Sequence, residues 1–197
     1  MDVPAPNLDE KVVRQLRELA DTQFTLRAFR DRWSAFGWSY DAHPDDRYGF
    51  RVRIDDQRLL MVSPVENDVV CASLPFLYWE DYEPNWHMDR SEYERQRAAF
   101  EAAFDAAATL ARRVLPPPER EWTDADAQKH RAVIWSGTHG LLVLQQAAFD
   151  VQFGLELNFW LARRPAEGFR PTTPLIDWLC QLSRHDDGDS GFPPLAR

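Results

Sequence analysis

The chain has 197 residues, 44% of them hydrophobic and 28% charged, an ordinary globular balance. A chain of this size buries roughly 70% of its unfolded surface in one core. The formal net charge of −9 and pI near 5.0 argue against a duplex nucleic acid as partner, because phosphate binding needs a concentrated basic surface. They fit plain solubility, or a basic partner whose encounter an acidic field would speed.

Of the 23 basic residues only Lys11 and Lys129 are lysines. With abundant Ala, Asp and Pro, this suggests a GC-rich bacterial genome. Cys71 and Cys180 lie far apart, without a CxxC or a His/Cys cluster, and each sits in an apolar run. Both read as buried reduced thiols, so neither a disulfide framework nor a zinc site is expected. The stretch MDVPAPNLDEK lacks a basic region followed by an apolar one, and no window approaches the ~18 apolar residues of a spanning helix. A cytoplasmic chain that does not enter a membrane is the expectation.

In chain order, Leu8, Val12, Leu16 and Leu19 form one face of an amphipathic helix. Leu26, Phe29, Trp33 and Phe36 repeat the device, with Thr25 as N-cap and Gly37 as stop, so the opening is two helices or one broken near Thr22 to Thr25. The period then changes to two. Tyr48, Phe50, Val52 and Ile54 share one face of a strand and Arg51 and Arg53 the other, and Asp55-Asp56 makes a turn into QRLLMVS. After a second turn at PVEND, VVCASL is the third strand of a meander, with Leu60 and Val62, and Val69 and Cys71, expected on the buried face.

Next comes PFLYWEDYEPNWHMDR, from Pro75 to Arg90, which has neither period. It is read as a loop, longer than most connections and too aromatic for disorder. Beyond it, Tyr93, Phe100, Phe104, Ala107, Leu110, Ala111 and Val114 recur at threes and fours in the strongest helix of the chain. Ser91 and Glu94 are placed as a capping box, and the run PPPE ends the helix.

The run from Glu119 to Gln128 is polar and reads as a loop. RAVIWS and LLVLQQA flank the turn GTHG, and Val151, Phe153, Leu155, Leu157, Phe159 and Leu161 alternate against Gln152, Gly154, Glu156 and Asn158 in a third strand. Leu175, Trp178, Leu179 and Leu182 predict a last helix before a frayed tail over 186–197. The order α(α)βββ-αβββ-α implies a single α+β domain over 1–197, a two-layer sandwich of antiparallel meanders with helices mainly on one face. Its possible halves are 1–89 and 90–185. In outline this order resembles the secretion-chaperone-like α+β folds of bacterial binding proteins.

Catalytic signatures for nucleotide binding, metalloprotease zinc, calcium loops and nucleophile elbows are absent from the sequence. WSGTHG groups Ser136, Thr138 and His139, but strand-like residues on both sides make it a hairpin turn. His87 with Glu80, Asp81, Glu83 and Asp89 offers oxygen and imidazole ligands without the spacing of a metal motif, so no metal and no cofactor are expected. The weak catalytic candidates are Glu80 and Asp81, wedged between Trp79 and Tyr82, together with His87 and Glu156. Glu156 reads more simply as an exposed residue of a polar sheet face.

The favoured reading is a non-enzymatic bacterial protein-binding factor, immunity- or chaperone-like. It would engage a basic protein through Tyr78, Trp79, Glu80, Asp81, Tyr82, Glu83 and Trp86, because stiff amphipathic aromatics ringed by carboxylates suit Arg or Lys side chains. The alternatives are an enzyme with its pocket beside the 75–90 segment, and a structural homodimer module using exposed apolar residues such as Trp160. The chain is expected to be a monomer or homodimer.

Overall fold

The structure, a computed structural model, describes residues 8–41, 49–79, 90–123, 131–150 and 154–163. Within them lie helices α1 (Glu10–Ala20), α2 (Leu26–Ala35) and α3 (Arg90–Val114). The strands are β1 (Ser39–Asp41), β2 (Phe50–Arg53), β3 (Leu59–Val65), β4 (Asp68–Trp79), β5 (Arg120–Thr123), β6 (Arg131–Ser136), β7 (Gly140–Asp150) and β8 (Gly154–Arg163). The fold is α+β, with an antiparallel sheet of eight strands in the order β1-β2-β3-β4-β8-β7-β6-β5. Two four-stranded meanders therefore meet edge to edge at β4 and β8.

The opening helices form for the reasons their sequence gives. Asp9 caps α1 by accepting from the Val12 N–H at 2.9 Å, and Thr25 caps α2 by accepting from the Ala28 N–H at 3.2 Å. Gly37 ends α2 at φ 81°, a conformation that costs a side chain and suits glycine. Val12, Leu16 and Leu19 of α1, Phe29 and Trp33 of α2, and Phe100, Phe104, Ala107 and Ala111 of α3 bury their faces in one core. Against them stand Val52, Leu60, Val62, Leu74, Leu142, Leu144, Leu157, Phe159 and Leu161 of the sheet. Each large side chain so buried contributes about 1.5–3 kcal/mol.

Several expectations are corrected. Each meander has four strands rather than three, because Ser39–Asp41 and Arg120–Thr123 add short outer strands. The polar run from Glu119 is thus a strand in its first part, Arg120 pairing with Ile134 and Trp122 with Ala132. An outer strand needs only one packed face and one set of ladder bonds, so it tolerates polar residues. Ser91 lies inside the first turn of α3 instead of capping it, and Glu94 accepts from Arg90 at 2.9 Å.

Two irregularities in β4 also overturn the simple alternation. Cys71 pairs with Ser63 but Val69 with Pro64, so Val70 is an extra residue. Val69 consequently faces the helices while Cys71 joins a smaller cluster on the opposite face with Val70, Ala132, Ile134, Val143 and Ala162. The central strands are therefore buried on both faces. The last-helix residues Leu175, Trp178, Leu179 and Leu182 and the tail from 186 lie outside the described residues.

Candidate functional site

The 75–90 segment is not a loop throughout. Its first five residues continue β4, which runs to Trp79, and Arg90 already belongs to α3. Strict alternation after Leu74 would place Phe76 and Tyr78 against the core. A second register shift prevents this: Pro75 pairs with Asn158 and Leu77 with Leu157, leaving Phe76 as the extra residue. Phe76 and Leu77 both pack inward, the Phe76 ring 5.7 Å from that of Phe159. Tyr78 is thereby turned to the far face, 44% exposed, directly opposite Glu156. Re-aiming a side chain in this way is a common use of a bulge.

On β8, Glu156, Asn158 and Trp160 share that far face, since Leu157, Phe159 and Leu161 occupy the core. Asn158 is matched by Pro75 on one side and Gln145 on the other, and Gln145 in turn by Ala132. The polar residues follow a gradient of burial. Tyr78 is exposed, Glu156 half-buried, Asn158 5% exposed and Gln145 1%.

The expectation that Glu156 is an exposed sheet residue is therefore overturned. Its carboxyl is pushed up from the ordinary carboxylate range by burial, and a hydrogen bond from Asn158 only partly offsets this. Asn158 Oδ1, both amide atoms of Gln145, and the indole Nε1 of Trp160 are buried without hydrogen-bond partners. Each such group forgoes about 1–3 kcal/mol relative to a satisfied one. Trp160 is not the exposed apolar residue anticipated; it is half-buried and packs on the Val70–Cys71 cluster.

The remaining candidates separate clearly. Glu80, Asp81, Tyr82, Glu83, Trp86 and His87, and the side chain of Trp79, lie outside the described residues. Ser136 ends β6, and Thr138 and His139 lie in the hairpin turn that follows it and docks on the end of α1. There Thr138 donates from its N–H and hydroxyl to Asp21 Oδ1 at 2.6 and 3.0 Å, and the His139 N–H donates to the Ala20 carbonyl at 3.2 Å. Arg17 donates to the Ser136 carbonyl beside it. The turn fastens helix to sheet.

Cys71 is buried, with its thiol pushed up to about 11 by desolvation, and so carries little thiolate at neutral pH. Among the described residues no three histidine, cysteine or carboxylate side chains are grouped to hold a metal ion, and no helix is long and apolar enough to cross a membrane.

Sequence reasoning reached Glu156 and Tyr78 but missed Gln145. Nothing in LLVLQQA distinguishes it; its role comes from lying opposite Asn158 in the sheet.

Comparison with known proteins adds little to this geometry. No family model and no curated protein matches the chain. A solved structure of a DUF4309 family protein (YjgB) from Bacillus subtilis subsp. subtilis str. 168 is similar at 12% sequence identity and a TM-score of 0.34, over 79% of this chain and 98% of that one, a likeness too slight to bear on function.

Proposed function

We propose that the chain is a non-enzymatic, immunity- or chaperone-like bacterial binding factor, acting in the cytoplasm as a single two-layer domain, monomeric or homodimeric. In this reading it captures a basic protein over the β4–β8 end of its sheet. The observation that carries the proposal is the placement of an exposed Tyr78 directly opposite the half-buried Glu156, at the end of β4 from which the acidic, aromatic segment 80–89 departs. Aromatic surface beside acceptor groups suits Arg or Lys side chains, and the net charge of −9 would draw such a partner in.

The test is capture from lysate of the source organism by tagged protein, at low and at physiological salt, with partners identified by mass spectrometry. A stoichiometric basic partner, weakened by salt and lost in Tyr78→Ala and in the double variant Trp79→Ala, Trp86→Ala, supports the reading. A partner retained equally by all three chains removes this surface from the function.

One observation favours an enzyme instead: a half-buried carboxyl with a raised pKa is the ordinary equipment of a general acid. Around Glu156 the structure places Asn158, an amide that does not titrate, on the same strand, and Tyr78 directly opposite, so the phenol is the group that a proton-transfer reading would call on.

A further inference from the structure

The sheet face turned away from the three helices is buried over four strands and open on either side of them. Val70 and Cys71 of β4, Ala162 of β8, Val143 of β7, and Ala132 and Ile134 of β6 are each at most 7% exposed. On the flanking strands, Met61 of β3 and Arg120 of β5 lie on the same side and are exposed. A valine on an uncovered sheet face keeps part of its surface in water, so Val143 at 0% requires something above it.

Among the described residues no helix joins this cluster; α1, α2 and α3 all pack on the opposite face. The cover therefore comes from chain outside them. The runs 80–89 and 124–130 are tied at both ends, so each reaches out by half its extended length, ~18 Å and ~12 Å. Cys71 lies eight residues back along β4 from Trp79, about 26 Å, and β4 lies three strands over from β6, about 14 Å. Neither run spans the cluster. Residues 1–7 lead into Leu8, which packs on the helix side, 42–48 join the outer strands β1 and β2, and 151–153 only bridge β7 to β8.

The chain beyond Arg163 remains, and its sequence suits the task. Arg163 is held to Asp68 at 3.0 Å, at the end of the covered zone formed by Val70 and Ala162. Residues 164–172 contain Pro165, Gly168 and Pro171, turn chemistry with a reach of up to about 30 Å. Thr173 and Pro174 suit an N-cap and a first helical position, and Leu175, Trp178, Leu179 and Leu182 follow at helical spacing. A helix over 174–183 would be about 15 Å long, and the four covered strands are about 14 Å across.

We propose that the C-terminal segment docks as a helix, through Leu175, Trp178, Leu179 and Leu182, on the patch of Val70, Val143 and Ala162 on the second face of the sheet. It adds a partial third layer over β4, β8, β7 and β6 and stops short of the exposed Tyr78. This docking is independent of the binding function proposed above.

The test is NMR of the full chain with labelled Ile, Leu and Val methyl groups. NOEs from the Trp178 indole to the methyls of Val70, Ile134 or Val143 are expected. Their absence in a folded chain overturns the docking, as do NOEs from Trp178 to the helix-side methyls of Leu142 and Leu144 instead. NOEs to the patch from Tyr82 or Trp86 in place of Trp178 would give the cover to another segment. The same NOEs seen only between differently labelled chains would seat the segment on a second copy. Either result overturns the assignment.

A second measurement follows Cys71, the remaining thiol in a Cys180→Ser chain. Adding Leu179→Asp and Leu182→Asp puts two carboxylates into the apolar contact and should speed modification of Cys71 by about tenfold or more, through local opening. An unchanged rate overturns the docking. Should that variant unfold throughout, the NOEs of the parent chain decide.

Discussion

Gln145 stands directly opposite Asn158 across β7 and β8, yet the two buried amides do not bond to one another. Neighbouring amides ordinarily exchange hydrogen bonds when water is excluded, so this arrangement costs stability in the isolated chain. Replacing Gln145 by Leu deletes two unpartnered polar atoms in a site already flanked by Ala132. We expect urea denaturation to show the variant more stable by about 1–2 kcal/mol. A destabilised variant would mean that Gln145 is satisfied in solution.

Glu156 gives a stability test with a definite sign. Its folded pKa lies above the unfolded value near 4.5, so the contribution of its neutral form is fully present below that value and is lost as pH rises through the folded one. Glu156→Gln should therefore match the parent chain at about pH 4 and exceed it in stability at pH 7. Equal stability at both pH values would show that the carboxylate is well solvated.

Arg58 joins the start of α1 to the β2–β3 turn. It donates to Asp9 at 2.7 Å and pairs with Asp55, its Nε reaching Asp55 Oδ2 at 2.7 Å. The Arg58 bond is the main reason Asp55 is held below the usual carboxylate range. For Asp9, burial acts in the opposite direction and is outweighed by the Val12 N–H and Arg58 together. With both carboxylates lowered, their contribution is present above about pH 4 and fades as pH falls through the folded values. Arg58→Met should cost about 1 kcal/mol at pH 7, modest because both carboxylates are well exposed, and less at pH 3. Chemical denaturation at the two pH values checks this.

The hairpin between β6 and β7 tolerates no added bulk. A Cβ on Gly140 would collide with the Phe24 ring and come within 2.7 Å of the Ala162 carbonyl, and one on Gly137 would press on the backbone of Ala20. Gly140→Ala is expected to lower stability by about 2–3 kcal/mol, as overpacking against a rigid neighbour does. A loss below about 0.5 kcal/mol would show that Phe24 moves aside freely.

How much of this was legible in the sequence depended on the reach of each signal. The caps at Thr25 and Gly37 and the alternation from Leu157 to Leu161 are local, and the structure agrees with them. Ser39–Asp41 is too short to show a period, and Arg120–Thr123 is polar because it is an outer strand with one packed neighbour. The irregularities at Val70 and Phe76 were hidden in runs that look regular, and each inverts the facing of residues beside it, Cys71 in one case and Tyr78 in the other. Glu156 was visible as a polar residue on a strand, but its burial and its neighbour Gln145 depend on pairing between β7 and β8, which no single segment encodes.

The meeting of the two meanders at β4 and β8 bears on how the chain is made. β4 is twelve residues long, and one of its edges is closed only by β8, the last described strand to leave the ribosome. Until then the first meander carries a long open edge with Val69, Leu74 and Leu77 along it, the kind of template on which nascent chains join one another. Ladder partners such as Cys71 and Ala162 are far apart in the chain, so closure of the sheet is a late and slow event. Synthesis rate and chaperone supply should accordingly govern the yield of this protein more than the stability of its finished core.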